Sequence, residues 1–305
     1  MIATKKDSVP AYIQYRLSPD QWKEKRLEHR QVVSRLIDDY LEKRSRQQKD
    51  PVMDFLFEYY AFRPSHLRKW SPGVGMLLIN GKQVDWSFNE MTSIGEDCFL
   101  DITHFSADRI SSLKWILDVI KKSSDRKPSF GCFGMHEWAM VYKTNNIRHD
   151  YLSLRIEMDE LAEFVESRPL VCTHFDAFRF FTEDAKPQNK FELNRDKFSE
   201  MEQPGCLHTN MDLYKWAFKM YPWISGDTLR RAFKLAVETR VIDMKASPYD
   251  LRHRGLEPIK IETEEGRAQY VKEQKKIFEK AKPIRETLIK EYEQLLNIAE
   301  QSDLQ

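Results

Sequence analysis

The chain has 305 residues, of which 41% are hydrophobic and 32% are charged, so a sizeable core is possible in a soluble protein. Its 49 basic and 48 acidic side chains leave a net charge of +1, which excludes a general attraction to nucleic acid or anionic membranes. A nucleic-acid binder with this composition needs a local basic face, and four cysteines are too few for a disulfide scaffold.

Residues 1–8 carry two lysines with no apolar run behind them, unlike a secretory signal. No stretch of the sequence approaches the ~20 apolar residues that cross a bilayer. We therefore expect a cytoplasmic protein without membrane partners, and its oligomeric state stays open.

The first part of the chain is predicted to hold helices around a short β segment. A polar helix over 18–48 is capped by Ser18 and carries an apolar stripe that includes Val33 and Ile37. A second helix follows Pro51. Residues 76–79 and 83–88 flank Asn80-Gly81, a dipeptide typical of two-residue turns, which predicts a β-hairpin. A helix over 107–122 follows.

The second part is predicted to be mainly helical. Short strands over 152–157 and 170–172 enclose a short helix over 159–166, and 184–203 is mostly loop. Longer helices are predicted over 208–221, 227–245 and 264–296. The fold class is therefore α+β, a predominantly helical single domain with a small β-sheet or hairpin. Residues 1–50 are expected to form an N-terminal helical extension, and residues 51–300 the main catalytic domain.

Three separate segments place a histidine near a carboxylate in apolar or aromatic surroundings. Imidazole and carboxylate groups are the usual side chains for moving protons or holding a metal, so the repetition favours an enzyme. The candidate catalytic residues are Asp176, His174, Glu137, His136, His208 and Asp212.

The first of these segments opens a predicted helix with His136 and Glu137. It is similar to the zinc-protease helix, in which two histidines four residues apart flank a glutamate, but the second position is Met140. A zinc protease is therefore not expected. Glu137 stays a candidate general base and His136 a candidate acid or ligand, and the alternative is a paired core histidine at a helix N-terminus.

The other two segments also pair a histidine with an aspartate. His174 and Asp176 would point to one face of an extended segment, beside Arg179 and several phenylalanines. A carboxylate and an arginine among aromatic rings need partners, so this segment is either a structural network or, as we favour, a site. His208 and Asp212 lie four residues apart on a helix and share a face, where they could hold a metal, position a base or satisfy each other.

A divalent metal is a second possibility. Each of the three histidines follows a cysteine by two or four residues, but the paired cysteines or histidines of structural zinc sites are absent. If zinc, iron or manganese binds, the expected ligands are His136, His174, His208 and Asp176.

Residues 63–75 are predicted to form a basic and aromatic loop. Arg63, Arg68 and Trp70 could contact phosphates and stack a base, and the alternative is a surface loop whose tryptophan packs inward. Pro72-Gly-Val-Gly75 is similar to the hairpin of helix-hairpin-helix DNA-binding modules, but the residues after it predict a strand and a turn instead of a helix.

Five motifs within residues 54–270 are long enough to be specific. They are Phe130-Gly-Cys-Phe-Gly-Met-His-Glu-Trp-Ala-Met140, Cys172-Thr-His-Phe-Asp-Ala-Phe-Arg-Phe-Phe181, Gln203-Pro-Gly-Cys-Leu-His208, Met211-Asp-Leu-Tyr-Lys-Trp216 and Ala246-Ser-Pro-Tyr-Asp-Leu251. Together they resemble a group of bacterial proteins of similar length that carry the name 3-methyladenine DNA glycosylase.

The resemblance implies DNA repair by hydrolysis of the N-glycosidic bond of alkylated purines in damaged DNA. The alkylated purine, a cationic and good leaving group, would be extruded and stacked on aromatic rings. Asp176 or Glu137 would activate water and stabilise the sugar cation, and His174 could orient it, so that no metal is required. The expected substrate-binding residues are Trp138, Phe178, Arg179, Trp216, Lys215, Arg63, Arg68 and Trp70.

Two other functions stay open. One is a metal-dependent hydrolase or oxygenase acting on a small molecule, in which the three histidines and a carboxylate hold the ion and Glu137 is the base. The other is a non-catalytic binding protein with a well-satisfied polar core. A basic groove beside the pocket would favour the glycosylase, and three histidines converging to within about 4 Å of one point would favour the metalloenzyme.

Overall fold

A computed structural model describes residues 8–147 and 149–302. Residues 1–7, the start of the predicted N-terminal extension, lie outside the described residues. The helices are α1 (Pro19–Ser45), α2 (Pro64–Leu67), α3 (Asp108–Asp125), α4 (Met135–Ala139), α5 (Met158–Glu166), α6 (Phe175–Phe178), α7 (Phe198–Met201), α8 (Leu207–Lys219), α9 (Gly226–Ala246) and α10 (Glu264–Ser302). The strands are β1 (Tyr15–Leu17), β2 (Met76–Leu78), β3 (Met91–Ile94) and β4 (Asp97–Leu100). The predicted fold class, a mostly helical α+β domain with a small sheet, is confirmed.

Helix α1 begins where the sequence predicts it. The Ser18 hydroxyl accepts a hydrogen bond from the Gln21 amide, and the Gln21 side chain accepts one from the Ser18 amide, which together form a capping box. Val33 and Ile37 of the predicted stripe are buried in the main core, where α1 packs on α9. The division between an extension and a main domain at residue 50 stays a prediction.

The sheet has the order β1-β2-β4-β3, with β1 and β2 parallel and the other pairs antiparallel. The hairpin predicted at Asn80-Gly81 is wrong in position. Asn80 adopts a left-handed φ of 53° and a short 3-10 turn (Gly81–Gln83) follows, so β2 ends before this turn. Strand β2 pairs with β1 and β4. Gly81 packs so closely on β4 that an added Cβ would lie 2.9 Å from the Cys98 Cβ. The hairpin is instead β3–β4, which turns at Gly95 with a φ of 57°.

Other local predictions also differ from the structure. The segment after Pro51 forms a π-helix (Phe55–Tyr59) instead of an α-helix. Of the strands predicted over 152–157 and 170–172, only two isolated bridges exist, from Leu154 to Tyr249 and from Leu170 to Asn189. The residues after Gly75 form β2, which leaves no place for the second helix of a helix-hairpin-helix module.

Helix α8 lies at the centre of the molecule and packs on α9 and α10, while α10 also packs on α3. Ten of its residues are buried, among them the polar His208, Asn210 and Asp212. The short helices α4 and α6 bring the other two histidine segments to this helix. Within the part of the chain that the structure describes, no helix has the length and apolar character needed to cross a membrane.

Candidate functional site

A pocket of about 410 Å³ opens beside the N-terminal end of α8. Three buried polar residues of its lining, Glu137, His208 and Arg240, form the pocket floor. The walls and rim consist of Lys49, Asp54, Phe55, Glu58, Tyr59, Met140, His149, Asp150, Tyr151, Asp176, Ala177 and Phe180. Carboxylates outnumber lysine and arginine in this lining by five to two, so the acidic and aromatic pocket suits a cationic ring.

The pocket floor rests on an ion network between α4 and α9. Helix α4 follows Gly134, whose left-handed φ of 76° turns the chain so that His136 and Glu137 face α9. His136 Nε2 lies 2.7 Å from Asp243 Oδ1. Arg240 Nη1 donates to Glu137 Oε1 at 2.5 Å and also donates to Asp243. Each buried charge therefore has a partner of opposite sign, which a low-dielectric interior requires.

Three imidazole rings contact one another across the site: His174 stacks on His208, and His136 meets His208 edge to face. The ring centroids of His136 and His208 lie 4.4 Å apart, and those of His174 and His208 lie 5.1 Å apart. Burial lowers the pKa of His136, but the charge and hydrogen bond of Asp243 outweigh it and raise that pKa well above its usual value. Glu202 raises the pKa of His174 against burial in the same way. Burial, reinforced by the charge of His136, holds the pKa of His208 well below its usual value. The pKa of His208 is thus lowered, while the pKa values of the two histidines beside it are raised.

Asp176 and Asp212 share one lysine. Lys215 Nζ donates to Asp176 Oδ2 at 2.9 Å and to Asp212 Oδ2 at 3.0 Å, while the Tyr60 hydroxyl donates to Asp212 Oδ1 at 2.7 Å. Asp212 is thus satisfied by Lys215 and Tyr60 instead of by His208. Burial raises the pKa of Asp176, but Lys215 outweighs burial and lowers it, so this half-buried carboxylate is ionised at neutral pH.

The second histidine segment has the predicted proximity but a different conformation. His174 is the N-cap residue of α6 and Asp176 lies in its first turn, so a helix start, not an extended strand, places both on one side. His174 Nδ1 forms an ion pair with Glu202 Oε1 at 2.8 Å, and the Thr209 hydroxyl donates to the other oxygen of Glu202.

A second cavity of about 1150 Å³ adjoins the pocket, and we name it the basic groove. It is lined by Arg109, Ser112, Trp115, Ile116, Phe175, Asp176, Arg179, Arg195, Asp196, Phe198, Lys215, Trp216, Lys219 and Met220. Arginine and lysine outnumber carboxylates in this lining by five to two. Among the described residues, Arg109, Arg195 and Lys219 have no carboxylate within ion-pair distance. Trp115 is 46% exposed and stands against Trp216, with ring centroids 5.9 Å apart.

The predicted ligand set His136, His174, His208 and Asp176 does not form one metal-binding group. The structure divides it in two: His136 and His208 join Asp243, and His174 and Asp176 join Asp212, with donor atoms within 4.8 Å of one another in each group. In the second group the Lys215 ammonium already lies between the two carboxylates. Buried histidine and aspartate residues that could hold a metal are thus present. In the first group the third residue is Asp243, instead of the predicted His174 and Asp176.

The substrate-binding residues predicted from sequence separate into two sets. Arg179, Lys215 and Trp216 line the basic groove. Trp138 is fully buried and donates to the Ala246 carbonyl at 2.9 Å, and Phe178 packs on another phenylalanine, so neither lines the pocket or the basic groove. In the pocket, Phe55, Tyr59 and Phe180 provide the aromatic surfaces instead.

The loop predicted to contact phosphates also lies elsewhere. Arg68 and Trp70 line a separate cavity of about 260 Å³, which shares no residue with the pocket or the basic groove. Arg68 pairs with Asp38, Trp70 is buried in a small core with Trp22, and Arg63 is an exposed residue that precedes α2. The inward-packed tryptophan is the alternative that the structure bears out.

The sequence did not predict four residues of the site: Arg240, Asp243, Glu202 and Tyr60. A signal for two of them exists. Arg240 and Asp243 lie three residues apart in α9 among buried apolar residues, where an unpaired charge would be unfavourable. Glu202 follows a short helix in a segment predicted as loop, and nothing in its neighbours marks it.

Comparison with known proteins gives no family. No protein-family model, curated protein or solved structure matches this chain.

Proposed function

We propose that the protein is a DNA glycosylase that hydrolyses the N-glycosidic bond of a cationic, alkylated purine. One observation supports this proposal above the others: Asp176 lines both the acidic pocket and the basic groove. An ionised carboxylate at this junction would adjoin the sugar of a nucleotide whose base enters the pocket and whose phosphates stay in the groove.

The pocket has the chemistry that such a base requires. Alkylation gives the purine a positive charge, and the acidic lining with the rings of Phe55, Tyr59 and Phe180 attracts a cationic ring and offers surfaces for stacking. A neutral purine gains less from the carboxylates. The pocket therefore favours the damaged base over the normal one.

The basic groove has the complementary chemistry. Arg109, Arg195 and Lys219 are cations without carboxylate partners among the described residues, and phosphate oxygens would supply the missing charge. Trp115 presents an exposed ring on which a flanking base can stack. This local basic face is what a chain of net charge +1 needs in order to bind DNA.

The reaction requires one carboxylate and one water. The water oxygen forms a bond to C1′ while the bond from C1′ to the purine nitrogen breaks. The electron pair of that bond returns to the purine, which leaves as a neutral molecule without an acid catalyst. Asp176 stabilises the positive charge that develops on the sugar and accepts the proton of the water. The reaction scheme uses no metal.

Asp176 suits this role better than Glu137 does. Glu137 is buried on the pocket floor and bound to Arg240, so it faces the base and not the junction. His174 lies behind the linings of both cavities, and its ion pair with Glu202 assigns it to holding the start of α6 in place. Glu137 would therefore contact the base, and His174 would act as a positioning residue.

The proposal is tested with Asp176→Asn and an alkylated oligonucleotide. The wild-type protein should release 3-methyladenine or 7-methylguanine, and the variant should lose at least ~100-fold in excision rate, the usual contribution of such a carboxylate. Asp184→Asn, which changes an exposed aspartate after α6, should keep the wild-type rate. Single-turnover release of the free base provides the measurement.

Circular dichroism and urea unfolding of each variant show whether the fold survives. No release of methylated base by the wild-type protein would refute the proposed activity. Release by Asp176→Asn at a near wild-type rate would remove Asp176 from the mechanism, and loss of folding in that variant would assign Asp176 to structure.

A further inference from the structure

The pocket floor contains a second arrangement with its own chemistry. His136, His208 and Asp243 come from α4, α8 and α9, and their donor atoms lie within 4.8 Å of one another. All three residues are buried. The proposed base excision uses none of them directly.

These separations fit a small metal ion. Donor atoms that each lie ~2.1 Å from one ion are at most ~4.2 Å apart. The donor atoms of His136, His208 and Asp243 lie within 4.8 Å of one another, which is close to this limit. Two histidines and one carboxylate are the donor set that zinc, iron(II) and manganese(II) centres use when they keep open positions for water or substrate.

Neighbouring groups already hold two of the three ligands in place. Cys132 Sγ lies 3.8 Å from His136 Nδ1, which leaves Nε2 directed at Asp243. Arg240 donates to the Asp243 oxygen that does not face His136. Hydrogen bonds of this kind fix the orientation of metal ligands and tune their affinity. A structural ion pair alone would not require the third residue, His208, to converge on the same point.

His208 connects this group to the pocket. It lines the pocket, and its ring contacts Phe55, His136 and His174 but forms no hydrogen bond with another described residue. An ion held here would present its open coordination positions to the pocket, beside Glu137.

We propose that His136, His208 and Asp243 bind one first-row divalent metal ion on the pocket floor. This inference goes beyond the proposed base excision, which needs no metal. A divalent cation would also offset the acidic lining, so the loaded protein should bind a cationic purine less well and a neutral or anionic small molecule better. Metal loading and alkylpurine excision are thus opposed uses of one pocket.

The test is titration of tag-free, chelator-treated protein with cobalt(II), followed by visible absorption and equilibrium dialysis. We expect one equivalent to bind. Loss of a ligand in His208→Ala should weaken binding by more than the ~10–100-fold that is typical for an outer-shell partner. His66→Ala, which removes an exposed histidine of α2, should bind cobalt(II) like the wild type.

A second variant covers the case in which His208→Ala fails to fold. His208→Cys keeps a ligand at the same position, and a new near-ultraviolet charge-transfer band would show cobalt(II) on its sulfur. The proposal is overturned if the wild type binds no cobalt(II), if both alanine variants lose it equally, or if the cysteine variant folds and binds without that band.

Excision is assayed separately with chelator-treated protein. Excision without metal, slowed by added cobalt(II), supports both proposals. Cobalt(II) binding without any excision retains the metal site and rejects the glycosylase. Excision that is unaffected by bound cobalt(II) would contradict the opposition between the two uses of the pocket.

Discussion

Arg240 compensates the charge of two buried carboxylates at the centre of the molecule. It is 2% exposed and contacts both Glu137 and Asp243. Burial alone would raise the pKa of Asp243, but the charges of His136 and Arg240 outweigh burial and lower it, so Asp243 is ionised. The stability of the pocket floor therefore depends on a cation that sequence analysis did not identify.

Replacement of this cation by a neutral side chain of similar length should be costly. Arg240→Met leaves Glu137 and Asp243 buried without their guanidinium partner, and removal of one member of a buried ion pair costs about 3–5 kcal/mol. Urea unfolding at pH 7 measures this loss as a lower transition midpoint.

The matched control uses the same change on an exposed pair that also involves α9. Lys280 and Glu238 lie 2.7 Å apart, with 58% and 34% of their side chains exposed, and Lys280→Met should cost no more than ~1 kcal/mol. Similar losses in the two variants would show that burial does not strengthen the Arg240 pairs.

At the scale of elements, the long helices follow from sequence and the site geometry does not. Helical periodicity and caps predict α1, α3, α5, α8, α9 and α10 because these signals are local. The hairpin at Asn80-Gly81 fails because a tertiary contact, the packing of Gly81 on β4, overrides turn propensity. Proximity of His136, His174 and His208 is a reasonable prediction from their shared chemistry. The partners Asp243, Glu202 and Lys215 depend on how distant helices pack, which a single sequence does not specify.

His29 of α1 is a buried histidine that contacts Leu67 at the end of α2, and its ionisation should affect the free energy of unfolding. His29 Nε2 lies 2.8 Å from the Leu67 carbonyl oxygen, and Nδ1 has no hydrogen-bond partner among the described residues. Burial lowers the pKa of His29 below 6.5, although the hydrogen bond with the Leu67 carbonyl raises it. The charge of Arg230 in α9 also lowers this pKa, and the charge of Asp227 in α9 raises it.

The direction of the pH effect follows from this lowered pKa. Above the unfolded pKa of about 6.5 both states hold neutral His29, and its contribution to stability is fully present. As the pH falls through 6.5 towards the folded pKa, the unfolded state takes up a proton that the folded state does not. Wild-type protein should then lose stability relative to His29→Phe, by up to ~1.4 kcal/mol per pH unit. Urea unfolding of both proteins between pH 8 and about pH 5 measures the difference. The other histidines titrate in both proteins and cancel, so a flat difference would contradict the assignment.

At the scale of the whole molecule, a near-neutral chain separates its charges between two adjoining cavities. The pocket has more carboxylates than cations, the basic groove has more cations than carboxylates, and Asp176 lines both. Net charge hides this arrangement, because opposite local fields cancel in the sum. The separation suits one substrate that is cationic at its base and anionic along its backbone, as an alkylated nucleotide in DNA is.

DNA binding by the basic groove can be tested without an assay of base excision. Arg195→Ala/Lys219→Ala removes two cations of the basic groove, and Lys272→Ala/Lys275→Ala removes two exposed lysines of α10 as a matched control. Each phosphate contact to a single strand contributes ~0.7 to the slope of log affinity against log salt, so the groove variant should lower that slope by ~1.4. Fluorescence anisotropy with an unmodified single-stranded oligonucleotide at several salt concentrations measures it, and the control should keep the wild-type slope. Equal losses in both double variants would mean that DNA binds by overall charge, and no loss in either would place the DNA strand outside the basic groove.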